Sequence, residues 1–287
     1  MINFKNENPK ILVIGDLMID HYLWGKCERI SPEAPVQIVN IDKESSVLGG
    51  AGNVINNLRA LGSRVDVLSV VGDDYVANEL KALLENIKVQ SNMLIIEQNR
   101  KTSKKSRLIA SQQQVLRYDN ESIEDISSAS EKEIINKLSA NISNYDVVIL
   151  SDYGKGVLTT KLTQEIISIS NKNKVKVFVD PKGKDYSKYK GAYTLTPNKK
   201  EAIEASNILI NDNESLEKAI KKLKEECELE VSLITLSESG IAIFDDNLRI
   251  KPTVAREVYD VTGAGDTVIA SIAFAIANHM KIDDAIQ

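Results

Sequence analysis

Histidine and cysteine are scarce in this chain, which has two of each among its 287 residues: His21, His279, Cys27 and Cys227. So few histidines argue against a Ser-His-Asp hydrolase and against a histidine-rich metal site. The cysteines are far apart and in no metal-ligand spacing, which indicates a reducing compartment and predicts a cytoplasmic protein. Any acid–base chemistry should therefore fall to carboxylates.

Features of membrane and nucleic-acid proteins are also lacking. No apolar run reaches the roughly 20 residues of a membrane span, and the polar residues 1–10 contain no signal-peptide core. A net charge of −5 argues against a general nucleic-acid binder. Neither the Gly-x-Gly-x-x-Gly fingerprint nor the Gly-x-x-x-x-Gly-Lys-Ser/Thr phosphate loop occurs, so a dehydrogenase is disfavoured.

What the chain does have is an alternation of short apolar runs and helical patterns, which predicts a βαβ series. We expect a mostly parallel sheet with helices on both faces. The predicted strands cover residues 11–14, 65–71, 147–150, 175–179, 193–196, 231–236 and 241–244. The predicted helices cover residues 50–61, 75–84, 162–169 and 216–227.

Two segments, residues 22–48 and 93–117, break this rhythm. They contain alternating side chains at 36–39 and short strand patterns at 93–97, 107–110 and 115–118. Together they predict a small antiparallel sheet outside the main one, which serves as a lid, a dimer surface or both. The basic run 100–107 is either a solvated strand face or, if the sheet closes over a ligand, a set of cations facing an anionic group.

The most informative stretch is a glycine-rich turn at 258–267, which an apolar helix pattern follows at 268–277. Backbone N–H groups at a helix start lack helical partners, and the helix dipole adds positive charge, so this turn favours an anion such as phosphate. Gly263 and Gly265 allow close approach of the backbone. Asp266 stands at the edge of this anion hole, where it can act as a base on a hydroxyl while phosphate charge is stabilised. The alternative is an ordinary cap on a packed helix.

Other candidate ligands follow predicted strands, where ligands bind in open α/β sheets. Asp16 and Asp20 could accept hydrogen bonds from a polyol; for Asp20 a turn or cap role is equally favoured. The run 49–53 indicates either close backbone approach to a small ligand or a tight helix entry. Lys155, between two glycines, either reaches a transferring phosphate or is an exposed loop lysine.

Asn198 and Glu201 lie three residues apart at a predicted helix start. Such a pair can organise a Mg²⁺ shell, directly or through water, beside nucleotide phosphates. It can equally form a capping box, with Asn198 as the cap and Glu201 reaching back. The two roles are compatible.

The order of these motifs resembles the ribokinase/PfkB family of carbohydrate kinases over almost the whole chain. The family resemblance is carried by Gly15-Asp16, Asp20, Gly49-Gly50-Ala51-Gly52-Asn53, Asn198-x-x-Glu201 and Asp260-Val261-Thr262-Gly263-Ala264-Gly265-Asp266. It implies one ribokinase-like, doubly wound domain over residues 1–287. The lid would come from about 21–48 and 91–118 and would pair with a partner subunit to form a homodimer. Family members continue through further helices beside the adenine, so the resemblance also implies a truncated C-terminal end.

The resemblance also implies roles for matching positions. Asp266 would be the catalytic base, with Gly263, Ala264 and Gly265 forming the anion hole. The substrate-binding residues would be Asp16, Asp20, Gly50, Asn53 and Lys155, with Lys105, Arg107 and Arg117 as candidates for a sugar phosphate. The ATP-binding residues would be Asn198, Lys199, Lys200, Glu201, Thr235, Ser237 and Gly240, with Asn198 and Glu201 organising Mg²⁺.

Finer stretches are similar to the D-glycero-β-D-manno-heptose 7-phosphate kinases of lipopolysaccharide synthesis. They lie at residues 29–36, 113–119, 152–158, 180–183 and 257–262. This similarity implies ATP-dependent phosphorylation of O1 of the heptose 7-phosphate, with Asp266 kept ionised by the helix N-terminus. The alternatives are a kinase of another sugar, such as a ribokinase or fructokinase, and a catalytically silent nucleotide- or sugar-binding module.

Overall fold

A computed structural model describes residues 8–253 and 263–286 of the chain. The described strands are β1 Lys10–Gly15, β2 Leu17–Ile30, β3 Gln37–Gly50, β4 Arg64–Leu68, β5 Val70–Gly72, β6 Ile95–Glu97, β7 Ser103–Ala110, β8 Gln113–Asn120, β9 Val147–Ser151, β10 Lys176–Asp180, β11 Thr194–Leu195, β12 Ser232–Thr235, β13 Ile241–Phe244 and β14 Leu248–Lys251. The described helices are α1 Ala51–Ala60, α2 Tyr75–Asn86, α3 Ser128–Asn141, α4 Thr160–Lys172, α5 Lys199–Ser206, α6 Asn213–Glu226, α7 Ala264–Ala277 and α8 Ile282–Ala285.

The central sheet is parallel, in the order β11-β10-β9-β1-β4. Beyond β11 it continues into β12, because the Thr235 N–H donates to the Pro197 carbonyl at 2.9 Å and Asn198 bridges Thr235. The strands β12, β13 and β14 then run antiparallel. The predicted βαβ series with a mostly parallel sheet is confirmed.

Both faces of the central sheet are covered, as the apolar pattern of β1 requires. Ile11 and Val13 point to a core shared with α1, α2 and α7, whereas Leu12 and Ile14 point to a second core shared with α3, α4 and α6. All four side chains have no exposed surface. A strand buried on both faces reads as one continuous apolar run, which is why residues 11–14 predict a central strand.

A second, four-stranded sheet, called the lid here, has the order β3-β2-β7-β8. The strand β2 leaves the central sheet directly after β1, and β3 returns to α1, so the lid is attached at the carboxyl end of β1. The predicted extra sheet is confirmed, with two differences. The pair β2 and β7 is parallel, and the strand expected at 93–97 pairs as β6 with β5 beside the core.

No helix in the described ranges 8–253 and 263–286 is long and apolar enough to cross a membrane.

Candidate active site

Asp266 lies in the first turn of α7, with only 5% of its surface exposed. Two side chains hold its carboxylate. Asn53 donates from Nδ2 to Oδ2 at 2.7 Å, and the hydroxyl of Tyr153 donates to Oδ1 at 2.7 Å. Because α1 carries Asn53 and the loop after β9 carries Tyr153, the carboxylate is fixed from two sides at the helix N-terminus. It is therefore more than an ordinary helix cap.

Gly263 is the N-cap of α7 and has φ 74, a left-handed conformation that favours glycine. A Cβ at this position would lie 2.4 Å from Asn53 Nδ2 and 3.5 Å from Asp266 Oδ2. Any side chain would displace the amide that orients the carboxylate. The glycine predicted for the anion hole is thus also required for the contact between Asn53 and Asp266. Residues 258–262 of the same motif lie outside the described residues.

Burial raises the pKa of Asp266, and the nearby Asp20 carboxylate adds to this shift. The hydrogen bonds from Asn53 and Tyr153 favour the ionised form and act in the opposite direction. The helix N-terminus alone was expected to keep Asp266 ionised. A buried site makes that expectation incomplete, because desolvation disfavours a charged carboxylate.

A cavity of about 920 Å³ opens beside Asp266. It is lined by the predicted catalytic and nucleotide-binding residues Asp266, Gly263, Ala264, Gly265, Asn198, Glu201, Thr235, Ser237 and Gly240. It is also lined by Asp152, Tyr153, Asp180, Pro181, Lys182, Thr196, Glu238, Ile241, Thr253 and Val268. A volume of this order suits a small-molecule cofactor or nucleotide.

The capping box predicted for Asn198 and Glu201 is present. Asn198 Oδ1 accepts from the Glu201 N–H at 3.0 Å, and Glu201 Oε2 accepts from the Asn198 N–H at 3.0 Å. The other oxygen, Glu201 Oε1, faces Lys182 Nζ at 3.8 Å on the cavity wall. Lys199 and Lys200 are different: both are exposed and neither lines the cavity. The sequence placed them at the ATP site because they lie inside the motif, but the first turn of α5 directs them to solvent.

Asp180 and Tyr153 belong to the site although the sequence interpretation gave them no role. Burial raises the pKa of Asp180 well above its usual value, and the carboxylates of Asp266 and Glu201 raise it further. Asp180 ends β10 and Tyr153 follows β9, so both obey the rule that ligands bind at the carboxyl ends of parallel strands. Both residues could therefore have been predicted from their positions at the carboxyl ends of predicted strands.

Asp16, the strongest predicted sugar ligand at the end of β1, is turned away from the cavity. Its carboxylate accepts the backbone N–H groups of Tyr153 at 2.8 Å, Lys155 at 3.0 Å and Val157 at 3.2 Å. Only 1% of the residue is exposed. This carboxylate holds the loop that carries Tyr153, and the sugar contact expected of Asp16 stays a prediction.

Gly50 serves the chain reversal at the start of α1 rather than a ligand. Its φ is 56, and a Cβ would lie 2.6 Å from the Asp16 carbonyl oxygen. Of the two interpretations of residues 49–53, the tight helix entry therefore accounts for Gly50. Asn53, one turn later, reaches the site through its hydrogen bond to Asp266.

The predicted phosphate-binding cations share one face of the lid. Asp20 pairs with Lys105 across β2 and β7, and Arg107 pairs with Arg117 across β7 and β8. Directly opposed residues point to the same face of a sheet. Arg107 Nη1 donates to Asp20 Oδ1 at 2.6 Å. Asp20 is thus on a strand, not in a turn, and its charge raises the pKa of Asp266.

Lys105 differs from its neighbours because no hydrogen bond or ion pair of its ammonium occurs among the described residues. By contrast, Arg117 binds both oxygens of Asp119, and Lys155 pairs with Glu121. Burial lowers the pKa of Lys105, as do the nearby Lys155 and Arg117 charges. Lys155 itself does not line the main cavity, but it stands close enough to Lys105 to add positive charge to that lid face.

Residues 8–287 match the family described as pfkB family carbohydrate kinase. The chain is 75% identical over 282 residues to the Bifunctional protein HldE of Aliarcobacter butzleri (strain RM4018), covering 98% of this chain and 59% of that protein. It is 62% identical over 281 residues to the Bifunctional protein HldE of Sulfurimonas denitrificans (strain ATCC 33889 / DSM 1251), with coverage of 98% and 59%. The chain thus spans about 59% of the length of these curated relatives.

Solved structures share the fold. The tetrameric inhibited form of phosphofructokinase-2 from Escherichia coli gives a TM-score of 0.79 at 15% identity, covering 97% of this chain and 90% of that one. Arabidopsis thaliana ribokinase, solved with ribose and ATP, gives 0.73 at 18% identity, covering 97% and 89%. At such identities the similarity concerns the fold alone, and the expected ribokinase-like fold is confirmed.

Proposed function

Because the chain belongs to the pfkB family of carbohydrate kinases, we propose that it phosphorylates O1 of D-glycero-β-D-manno-heptose 7-phosphate with ATP. The product would be the 1,7-bisphosphate, for ADP-heptose and lipopolysaccharide core synthesis. The similarity to the two HldE proteins supports this choice within the family. One structural observation carries it: Lys105 is a half-buried cation on the lid face that also holds Asp20, and no partner for it occurs in the described part of the chain. An unpaired, partly buried cation favours an anionic substrate group.

In this proposal Asp266 accepts the proton of the sugar O1. Asn53 and Tyr153 hold the two carboxylate oxygens, so the base is oriented before the substrate arrives. The N-terminus of α7, with Gly263, Ala264 and Gly265, stabilises the negative charge of the transferring group. Asp20 would contact a sugar hydroxyl from the lid side.

The nucleotide would occupy the cavity, with its ribose and base near Thr235, Ser237 and Gly240. The donor set on the cavity wall fits Mg²⁺, because Glu201 Oε1 and the buried Asp180 carboxylate are hard oxygen ligands, and Lys182 Nζ, at 3.8 Å from Glu201 Oε1, is held only weakly there. Among the described residues no group of three or more His, Cys, Asp or Glu side chains forms a complete metal site. Mg²⁺ bound there would keep water and phosphate oxygens in its shell, Asn198 would act through water, and the ion would neutralise phosphate charge.

We further propose that the enzyme is a cytoplasmic homodimer that pairs through the lid. All eight residues of the edge strand β8 are exposed, including Val115, Leu116 and Tyr118. A long exposed edge strand with apolar side chains is a surface that proteins usually cover. ATP and a sugar phosphate as substrates fit a cytoplasmic location.

A substrate comparison tests the function. The enzyme would be supplied with ATP, Mg²⁺ and either the heptose 7-phosphate, unphosphorylated hexoses, ribose or fructose 6-phosphate, and ADP release would be followed by a coupled assay. We expect kcat/KM to be highest for the heptose 7-phosphate. Preference for ribose or an unphosphorylated hexose would reassign the chain to another sugar, and ATP binding without turnover of any sugar would indicate a silent binding module.

A further inference from the structure

The charge on the cavity wall is unbalanced. Among the described residues that line it, five carry carboxylates: Asp152, Asp180, Glu201, Glu238 and Asp266. Lys182 is the one lysine or arginine in that set. A nucleoside triphosphate brings further negative charge, so a cation near its phosphates is required for favourable binding.

The backbone of Lys182 is held by a buried network. Its N–H donates to the hydroxyl of Tyr189 at 2.9 Å, and this hydroxyl donates to Asp152 Oδ2 at 2.7 Å. The Lys188 ammonium pairs with the same carboxylate. Tyr189 has no exposed surface and only 4% of the Asp152 surface is exposed. The buried network therefore fixes the backbone position from which the Lys182 side chain extends.

The Lys182 side chain, in contrast, is held only weakly. Its ammonium lies 3.8 Å from Glu201 Oε1, and 54% of its side chain is exposed. A long ion pair at such exposure is weak. The stem passes Gly154, where a Cβ would lie 3.6 Å from Lys182 Cγ. The ammonium can therefore leave Glu201 for a phosphate in the cavity at little cost.

Lys182 also lines the same cavity as the proposed base, Asp266. Gly263, at the start of the anion hole, lies beside Asp266 on the same wall. A group placed over the anion hole is thus in the cavity that Lys182 lines.

We propose that Lys182 is a further catalytic residue, whose ammonium binds the γ-phosphoryl group during its transfer. This inference rests on the proposed kinase function. In the transfer, the bond between the sugar O1 and the γ-phosphorus forms while the bond from that phosphorus to the β,γ-bridging oxygen breaks. The bridging oxygen keeps the electron pair and leaves on ADP, and the proton of O1 passes to Asp266. Lys182 stabilises the charge on the γ-phosphoryl oxygens throughout.

The test compares Lys182→Met, Lys182→Arg and a control, Lys184→Met, at an exposed lysine two residues away that does not line the cavity. Steady-state assays give kcat and KM, and calorimetry gives the affinities for ADP and for β,γ-imido-ATP with Mg²⁺. We expect Lys182→Met to lower kcat by about 100-fold or more. We also expect it to weaken the imido-ATP complex by about tenfold, with a much smaller change for ADP, which lacks the γ-phosphate. Lys182→Arg should keep part of the activity, and Lys184→Met nearly all of it.

Lys182→Met with wild-type kcat, or with equal losses of ADP and imido-ATP affinity, would overturn the inference, because a purely structural ion pair with Glu201 predicts those results. If the wild-type enzyme phosphorylates no sugar, the kinase proposal fails. The two affinities still decide the role of Lys182 in that case. Selective loss of imido-ATP binding supports the phosphate contact, and an unchanged ratio contradicts it.

Discussion

Asp266, the residue proposed as the catalytic base, is buried. Its carboxylate has two donors, Asn53 and Tyr153, yet burial raises its pKa. A raised pKa makes a carboxylate a stronger base, provided that it remains ionised at the working pH. We expect Asp266→Asn to lower kcat by about 10²–10⁴-fold, since an amide cannot accept the O1 proton.

The same variant should bind ATP as the wild type does, because the nucleotide contacts lie on other parts of the cavity wall. Calorimetry with imido-ATP and a coupled ADP assay measure the two properties. Asp246→Asn, at an exposed position outside the cavity, is the matched control. Near-normal turnover by Asp266→Asn would remove Asp266 from the role of base.

Asp180 makes a prediction about stability. Its pKa is raised in the folded protein by burial and by the Asp266 and Glu201 charges. A folded-state pKa above the unfolded one means that the folded state binds the proton more tightly, so stability is lost as the pH rises from about 4, the unfolded value, through the folded pKa. Asp180→Asn removes this loss.

We therefore expect Asp180→Asn to unfold at a higher temperature than the wild type near pH 7.5, with the difference shrinking as the pH is lowered towards 4. Thermal unfolding at several pH values without ligands measures it. The same variant should need more Mg²⁺ for half-maximal activity, because it loses a proposed oxygen ligand of the ion. If Asp180→Asn had the same Tm as the wild type across this pH range, the loss of stability could not be assigned to Asp180.

At the residue scale, the sequence predicted the side chains that occur in a distinctive local pattern. Gly263 and Asp266 stand in such a pattern, and the structure brings both to the cavity wall. Asp16 stands in one too, but a carboxylate at the end of a strand can bind a ligand or backbone N–H groups, and only the path of residues 153–157 decides between them. Lys199 and Lys200 do not line the cavity, because helix phase, not motif membership, decides which side chains face it, and their ATP contact stays a prediction.

In the proposed function, the lid is the element that places charge near the sugar. Lys105, Arg107 and Arg117 lie on the face that holds Asp20, and Lys105 is the one whose ammonium has no partner among the described residues. We expect Lys105→Met to raise the KM for the sugar phosphate about tenfold or more, because a charge-assisted hydrogen bond is worth roughly 1.5–3 kcal/mol. The KM for ATP should change little.

Steady-state kinetics with the heptose 7-phosphate check this expectation. Lys26→Met serves as the control, since Lys26 is an exposed lysine on β2 towards the far end of the lid. If Lys105→Met raised the KM values for ATP and for the sugar phosphate equally, Lys105 would act on the shape of the lid and not on the phosphate.

Element by element, the buried strands of the core were the most predictable, because an apolar run such as 147–150 has one stable place in a parallel sheet. The lid was predicted as a sheet, but its pairing was not. The segment 93–97 and the lid strands have similar patterns of apolar residues. No local feature of the sequence specifies that β6 pairs with β5. The helix α3 was missed because most of its surface is polar and only Ser130, Ile134 and Leu138 are buried.

For the whole molecule, two surfaces meet where the lid joins the core. The core supplies Asp266 and the cavity, and the lid supplies Asp20 and the cations. Both depend on β1, whose carboxyl end carries Asp16 on one side and continues into β2 on the other. The mostly parallel sheet with helices on both faces was predicted from the βαβ pattern, whereas the strand order and the juxtaposition of lid and Asp266 required the structure.

The exposed edge of the lid gives a prediction about assembly. Val115, Leu116 and Tyr118 on β8 are 43%, 52% and 49% exposed, and β8 has no neighbour beyond β7 among the described residues. A charge on such a strand blocks edge pairing, because a desolvated, unpaired ammonium is costly at an interface. We expect Leu116→Lys to convert the proposed dimer into a monomer, as measured by size-exclusion chromatography with light scattering.

Leu209→Lys is the matched control, because Leu209 is a leucine of similar exposure, 64%, that lies outside the lid. It should leave the dimer intact. The two variants then distinguish three possibilities for the dimer interface. A dimer lost only in Leu116→Lys assigns the interface to the lid, a dimer kept in both variants assigns it elsewhere, and a monomeric wild type removes the dimer from the proposal. In the first case the apolar edge of β8 is explained by burial against a second copy, and the lid performs two tasks with opposite faces: Asp20, Lys105 and Arg107 turn towards the substrate, and Leu116 turns towards the partner.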